Sequence, residues 1–118
     1  IDANNTTSLD KEFMNNVLSY INENINDEKL NVEHLASELF LSRSKLYRKI
    51  KALTGDTANE FIRKVRLEKA KQLIKNTEHT ISEICYKVGF SSPSYFTKCF
   101  KDHFDVLPTE IRENVTKK

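Results

Sequence analysis

Three observations predict an all-α fold of seven helices. The 118 residues include only two Gly and two Pro, too few for the many tight turns that a set of short strands requires. Apolar residues recur at three- and four-residue spacing along most of the chain, the pattern of amphipathic helices. Capping residues, namely Asn31, Ser42, Thr57, Thr80 and Ser92, stand at the heads of five of these stretches, where a side-chain oxygen accepts from an otherwise unpaired backbone N–H. The length suits one domain with one core.

The elements follow in order. Residues 1–8, IDANNTTS, are polar and are expected to be a linker remnant from a longer protein. Phe13, Val17, Tyr20, Ile21 and Ile25 share a face of a first helix from about Leu9 to Ile25. Asn31 caps a short second helix whose Val32, Leu35, Ala36 and Leu39 point one way. Ser42 caps a third, roughly Arg43–Leu53, which Gly55 stops by its tolerance of a left-handed turn. Thr57 and Glu60 form a capping box that opens a long helix reaching about Lys75, with Ala58, Phe61, Ile62, Val65, Ala70, Leu73 and Ile74 along its stripe. Thr80 and Glu83 form a second box ahead of a fifth helix that ends at Gly89. Ser92 and Pro93, a residue suited to the first helical position, open a sixth through about Phe104. A last short helix begins near Thr109, and 115–118 are expected to be a frayed tail.

Two of these helix pairs are copies of one unit. Leu35–Ser42 aligns with Ile84–Ser91 at an offset of 49, and after one extra residue Leu46 and Ile50 align with Phe96 and Phe100. Each copy is a short helix carrying a small residue (Ala36, Cys85), a tight turn, and a capped second helix. That is a helix-turn-helix pattern, whose second helix can enter the major groove of DNA. The first copy is expected over about 31–54, the second over about 80–104, and the connecting helix over about 57–75, within a domain at 9–114. A connector of roughly 19 residues is roughly 28 Å long, comparable with the roughly 34 Å between successive major grooves on one DNA face. One chain can thus present two unlike reading heads to one duplex.

Charge points the same way. Residues 1–40 hold two basic and eight acidic residues, whereas 41–118 hold seventeen basic and nine acidic. The stretch SRSKLYRKIKAL at 42–53 has five cations and no acid. Such asymmetry suggests a polyanion-facing surface, although a solvated helix face would carry the same residues. No apolar run approaches the roughly 18 residues of a membrane span, and no signal-peptide pattern opens the sequence. Cys85 and Cys99 lie outside any CxxC or Cys/His cluster, which disfavours a disulfide scaffold or zinc site and fits a cytoplasmic location.

The chain resembles the DNA-binding domain of AraC-type transcription regulators. The resemblance is carried by Leu35-Ala36, Leu41-Ser42-Arg43-Ser44, the run Leu46–Gly55, Phe61-Ile62, Arg66-Leu67, Ala70, Leu73, Ile81, Ile84, and the run from Val88-Gly89-Phe90 through Ser94-Tyr95-Phe96 and Phe100-Lys101 to Pro108. It covers about residues 10–112. The text LSRSKLYRKIKALTG is further similar to output domains of hybrid two-component regulators, in which a periplasmic sensor, a histidine kinase and a receiver precede this module. Two positions depart from the pattern: Asp105 where many relatives have Gly, and Ile111 where the final helix usually carries Tyr.

The resemblance implies sequence-specific double-stranded DNA binding, with recognition helices at about 43–53 and 93–103 in successive major grooves. Ser44, Tyr47 and Arg48 are the implied base-facing group of the first head, and Arg48 can donate a bidentate pair to guanine. Ser94, Tyr95, Thr97 and Lys98 are their counterparts in the second. Ser42, Arg43, Lys45, Lys49, Lys51, Ser91, Ser92 and Lys101 are expected on phosphates, which supports affinity without reading sequence. Implied partners are double-stranded DNA, a second copy of the parent and RNA polymerase, with the parent anchored in the inner membrane; no small-molecule ligand, cofactor or membrane contact is expected of this domain. Leu46, Ile50 and Leu53 are expected to face inward, as are Phe96 and Phe100, and the two cysteines to be small buried groups. Arg66 and Glu60 are expected to bond within the fold. His34, His79 and His103 are scattered, and no nucleophile triad, carboxylate dyad or phosphate loop supports an enzyme. Two other readings are a helical module docking a protein partner and a phosphotransfer domain using His34.

Overall fold

A computed structural model describes residues 7–116, with side chains described through residue 114. Residues 1–6 of the expected linker remnant and 117–118 of the expected tail lie outside the described residues. Among the described residues there are seven helices and no strand: α1 (Ser8–Glu23), α2 (Val32–Glu38), α3 (Arg43–Thr54), α4 (Ala58–Asn76), α5 (Ile81–Lys87), α6 (Pro93–Phe104) and α7 (Pro108–Thr116). The first helix starts a residue earlier than expected because Thr7 and Asp10 form a capping box: the Asp10 N–H donates to Thr7 Oγ1 at 3.0 Å. At the other end, residues 115 and 116 are still helical.

The chain divides into two compact units. The first comprises Leu30–Ile62 with the segment up to Asn24. Val17 and Ile21 of α1, Val32, Leu35 and Ala36 of α2, Leu46 and Ile50 of α3, and Ala58 and Ile62 of α4 are buried there. The caps are those the sequence predicts. Asn31 accepts from the His34 N–H at 3.0 Å and Ser42 from the Lys45 N–H at 3.2 Å. Thr57 and Glu60 exchange bonds of 3.1 and 2.9 Å, and Gly55 ends α3 at φ +82°.

The second unit comprises Ile25–Lys29 and the chain from Arg63 onward. Its core is built from Leu67, Ala70 and Ile74 of α4, Ile84 and Cys85 of α5, Val88 and Phe90 of the turn, and Phe96, Cys99 and Phe100 of α6. Leu67 belongs to the buried stripe of α4, although the apolar pattern read from the sequence omits it. Where the first unit packs Leu46 and Ile50, the second stacks rings: Phe90–Phe96, Phe96–Phe100 and Phe100–Phe104 have centroids 5.2, 5.7 and 4.6 Å apart. The first pair is edge-on and the other two are tilted, and aromatic contacts of this kind add to area burial.

Arg66 is the one charged residue among the buried set of described residues. Its guanidinium donates to the carbonyls of Val88, Ile25 and Asp27 at 2.9, 3.1 and 3.0 Å. These bonds offset desolvation of a charge that would otherwise be costly inside. Burial lowers its pKa, but a guanidinium stays charged in proteins. Ile111, which stands where Tyr is usual, packs against the second unit's core. Next to it Arg112 donates to the carbonyls of Ile74 and Thr77 at 3.2 and 3.0 Å and to that of His79. Ile111 and Arg112, with the buried Pro108, thus help hold the final helix.

The duplication extends further than the helix pairs. The backbone bonds Leu41 N–H to Ala36 and Phe90 N–H to Cys85 are equivalent, both 3.0 Å. Lys51 caps the Gly55 carbonyl at 2.8 Å and Lys101 caps the Asp105 carbonyl at 3.2 Å, and Asp105 is left-handed like Gly55 at φ +63°. Beyond that, the Leu107 N–H donates to Glu110 as the Thr57 N–H does to Glu60, while Ala58 and Pro108 are both buried. The first turns of α4 and α7 are therefore a third repeated element.

Candidate nucleic-acid interface

Helical periodicity decides what α3 offers to solvent. With Leu46 and Ile50 wholly buried and Leu53 half-buried, the opposite face carries Arg43, Ser44, Lys45, Arg48, Lys51 and Ala52, all exposed, with Tyr47 half-buried. No acidic residue lies on this helix. Tyr47, Arg48, Lys51, Ala52 and Thr57 line an open depression of about 510 Å³. The share of Ala52 and Thr57 in this lining is not visible in the sequence, where Thr57 shows only as a cap.

Several cations expected on phosphates have partners within the fold. Arg43 donates through Nη1 to Glu33 Oε1 at 3.1 Å and through Nη2 to the Tyr47 hydroxyl at 3.3 Å. The bond to the Tyr47 hydroxyl and the nearby Glu33 carboxylate raise the Arg43 pKa. Lys49 is half-buried, and its ammonium lies 4.7 Å from the centroid of the Phe13 ring on α1, a cation–π contact. Lys51 combines an exposed position with the bond to the Gly55 carbonyl. Neither Glu33 nor Phe13 could be linked to α3 from spacing, since both lie on other helices.

On α6 the exposed face carries Ser94, Tyr95, Lys98 and Lys101, with Thr97 half-buried. Lys98 pairs with Asp102 one turn on, at 3.1 Å, and this neighbour raises its pKa. Ser92 Oγ accepts from the Tyr95 N–H at 3.3 Å and shares a hydrogen bond with Ser94 Oγ at 3.0 Å. Ser91 is exposed beside it. The Tyr95 ring lies 5.9 Å from that of Phe90, so its position is set by the core beneath.

The remaining candidates are dispersed. Cys85 and Cys99 are buried free thiols, and burial pushes the Cys85 thiol up, towards its neutral form. Nε2 of His103 lies 3.5 Å from Glu68, and the backbone of His79 is an acceptor for Arg112. Among the described residues no group of three or more His, Cys, Asp or Glu could hold a metal ion. No helix there is long and apolar enough to cross a membrane.

A face of this kind, on the second helix of a helix-turn-helix, defines a class of nucleic-acid-binding modules. The model of the helix-turn-helix domain family matches residues 35–114. Over 106 residues the chain is 39% identical to histidine kinase P4 of Formosa agariphila, a match covering 90% of this chain and 8% of that protein. It is 38% identical over 90 residues to the transcriptional activator RhaS of Mannheimia succiniciproducens, covering 76% of this chain and 34% of the activator. Among solved structures, a transcriptional regulator of Chromobacterium violaceum described as having an AraC-type DNA-binding domain superposes with a TM-score of 0.85 at 27% identity, covering 94% of this chain and 98% of that one. The chain belongs to the AraC-type helix-turn-helix family, the DNA-binding domains of transcription regulators. It spans less than a tenth of the first of these relatives and about a third of the second.

Proposed function

We propose that this domain is the DNA-reading output of a hybrid two-component regulator, with α3 and α6 as its recognition helices. The acid-free exposed face of α3 carries the reading. In this account Ser44, Tyr47 and Arg48 meet base edges, and Arg43, Lys45 and Lys51 neutralise phosphates together with the cap residue Ser42. Lys49, engaged with Phe13, contributes to phosphate attraction only at longer range. On α6, Ser94, Tyr95, Thr97 and Lys98 face bases, with Ser91, Ser92 and Lys101 on the backbone. The 19 residues of α4 give a connector of about 28 Å, which suits two contacts in successive major grooves.

The parent is a longer protein with a histidine kinase, a context that the kinase similarity over 90% of this chain supports; it is anchored in the inner membrane and presents this domain to the cytoplasm. Pairing of two parents raises the effective concentration of the second domain on an adjacent site, and the bound pair contacts RNA polymerase.

The test is a salt titration of duplex binding after selection of preferred sites from random sequence. The slope of log K against log salt is expected near −0.9 per phosphate neutralised. Arg48→Ala is expected to relax preference at one base pair, and Lys45→Ala to weaken all duplexes alike. Binding that ignores salt, or no enrichment of any sequence, would end the reading.

A further inference from the structure

The contact between Glu33, Arg43 and Tyr47 has a chemical direction. Arginine has five N–H donors and no acceptor, so at 3.3 Å it can only donate to the Tyr47 oxygen. The Tyr47 proton is then turned away from Arg43, and among the described residues nothing accepts it. Tyr47 also lines the open depression shared with Arg48, Lys51, Ala52 and Thr57. Glu33 fixes the other side of the guanidinium at 3.1 Å.

Resting on the DNA reading above, we propose that Glu33 and Arg43 are positioning residues that make the Tyr47 hydroxyl a donor, so that Tyr47 selects acceptor atoms on a base edge. In the major groove these are N7 and O6 of guanine, N7 of adenine and O4 of thymine; the amino groups of cytosine and adenine are donors and are refused. A tyrosine free to rotate both donates and accepts and discriminates less. Glu33 has a second effect, because its charge competes with phosphate for Arg43.

The internal repeat separates this device from the needs of the fold. At the equivalent positions the second unit has Ser82, Pro93 and Thr97, none of which can build the chain of contacts, and it forms the same helix, turn and capped helix. Both ends of the ion pair are exposed, with side-chain accessibilities of 58% for Arg43 and 69% for Glu33. A pair of this exposure adds little to stability.

The experiment compares the wild-type domain, Tyr47→Phe and Glu33→Ala on the selected duplex and on its single-base-pair variants, with thermal unfolding measured alongside. Tyr47→Phe is expected to lose about tenfold discrimination at one base pair, in line with a single good base contact. Glu33→Ala is expected to lose discrimination at that same base pair and to keep it elsewhere. Its salt slope is expected to steepen, by at most about 0.9, as Arg43 meets its phosphate without competition from Glu33, with unfolding unchanged. If Glu33→Ala keeps the preference that Tyr47→Phe loses, or if Tyr47→Phe changes no preference, the proposal fails while DNA reading stands. Equal loss of preference at all positions with a lowered unfolding temperature assigns Glu33 a structural role and also overturns it. A wild type without sequence preference removes both readings.

Discussion

Gly89 and Arg66 depend on each other's shape. A Cβ on Gly89 would lie 1.3 Å from Nη1 of Arg66 and 2.3 Å from the Ile25 carbonyl oxygen, and Gly89 has φ +91°. Missing side-chain volume on α5's turn is what lets a guanidinium reach three carbonyls. Gly55 has nearly the same φ, +82°, with nothing within 4 Å of such an atom. Gly55→Ala is therefore expected to cost only the left-handed penalty, about 1–2 kcal/mol. Gly89→Ala adds an overpacking cost of about 1–3 kcal/mol. Urea unfolding of the two variants measures the difference directly.

Phe40 occupies the position equivalent to Gly89 and is left-handed as well, at φ +56°. It is 95% exposed, so burial does not offset the backbone strain. Phe40→Gly should remove a cost of about 1–2 kcal/mol and lose about 0.5–1 kcal/mol to unfolded-chain entropy. A small net stabilisation is expected. Phe40→Val, β-branched and worse at positive φ, should destabilise. Opposite signs in thermal unfolding are the result to look for.

Asp102 holds Lys98 by an exposed ion pair. Asp102→Asn should release the ammonium without disturbing the fold, since such pairs contribute little. Duplex affinity is expected to rise and the salt slope to steepen by up to about 0.9. Unchanged affinity and slope would show that the Lys98 ammonium does not approach the duplex.

Acid stability should report the two capping boxes. The Thr80 backbone N–H and hydroxyl lower the Glu83 pKa, and those of Thr57 lower that of Glu60. A depressed folded value means that the stabilisation is full above the ordinary carboxylate pKa of roughly 4.3. It is lost as pH falls through the lower folded values. Glu83→Gln keeps an oxygen for the cap, so it should change stability little at pH 7 and flatten the loss below about pH 4. An acid limb as steep as the wild type's would contradict this role for Glu83.

Local chemistry made much of the fold legible. Caps at Asn31, Ser42, Thr57, Thr80 and Ser92 and the left-handed Gly55 are decided within a few residues, and the sequence shows them directly. The burial of Leu46, Ile50, Phe96 and Phe100 follows from helical period. What could not be read depends on residues distant in sequence. Glu33 meets Arg43 across ten positions, Phe13 receives Lys49 from another helix, and Arg66 finds its acceptors 22 to 41 residues away. The strain at Phe40 was invisible for a different reason: only the backbone reveals it, although its alignment with Gly89 was a clue. On the candidate interface, periodicity selects the outward residues, but which cations are free and which are engaged is a tertiary property.

Residues Ile25–Lys29 interrupt the first unit in sequence and belong to the second, where the Ile25 and Asp27 carbonyls receive Arg66. The two halves are thus braided along the polypeptide. No single scission, by protease or by gene truncation, can release both as whole pieces: a fragment beginning in α4 leaves behind the acceptors that its own buried arginine requires. The two similar parts share one polypeptide in a way that leaves neither continuous with itself alone.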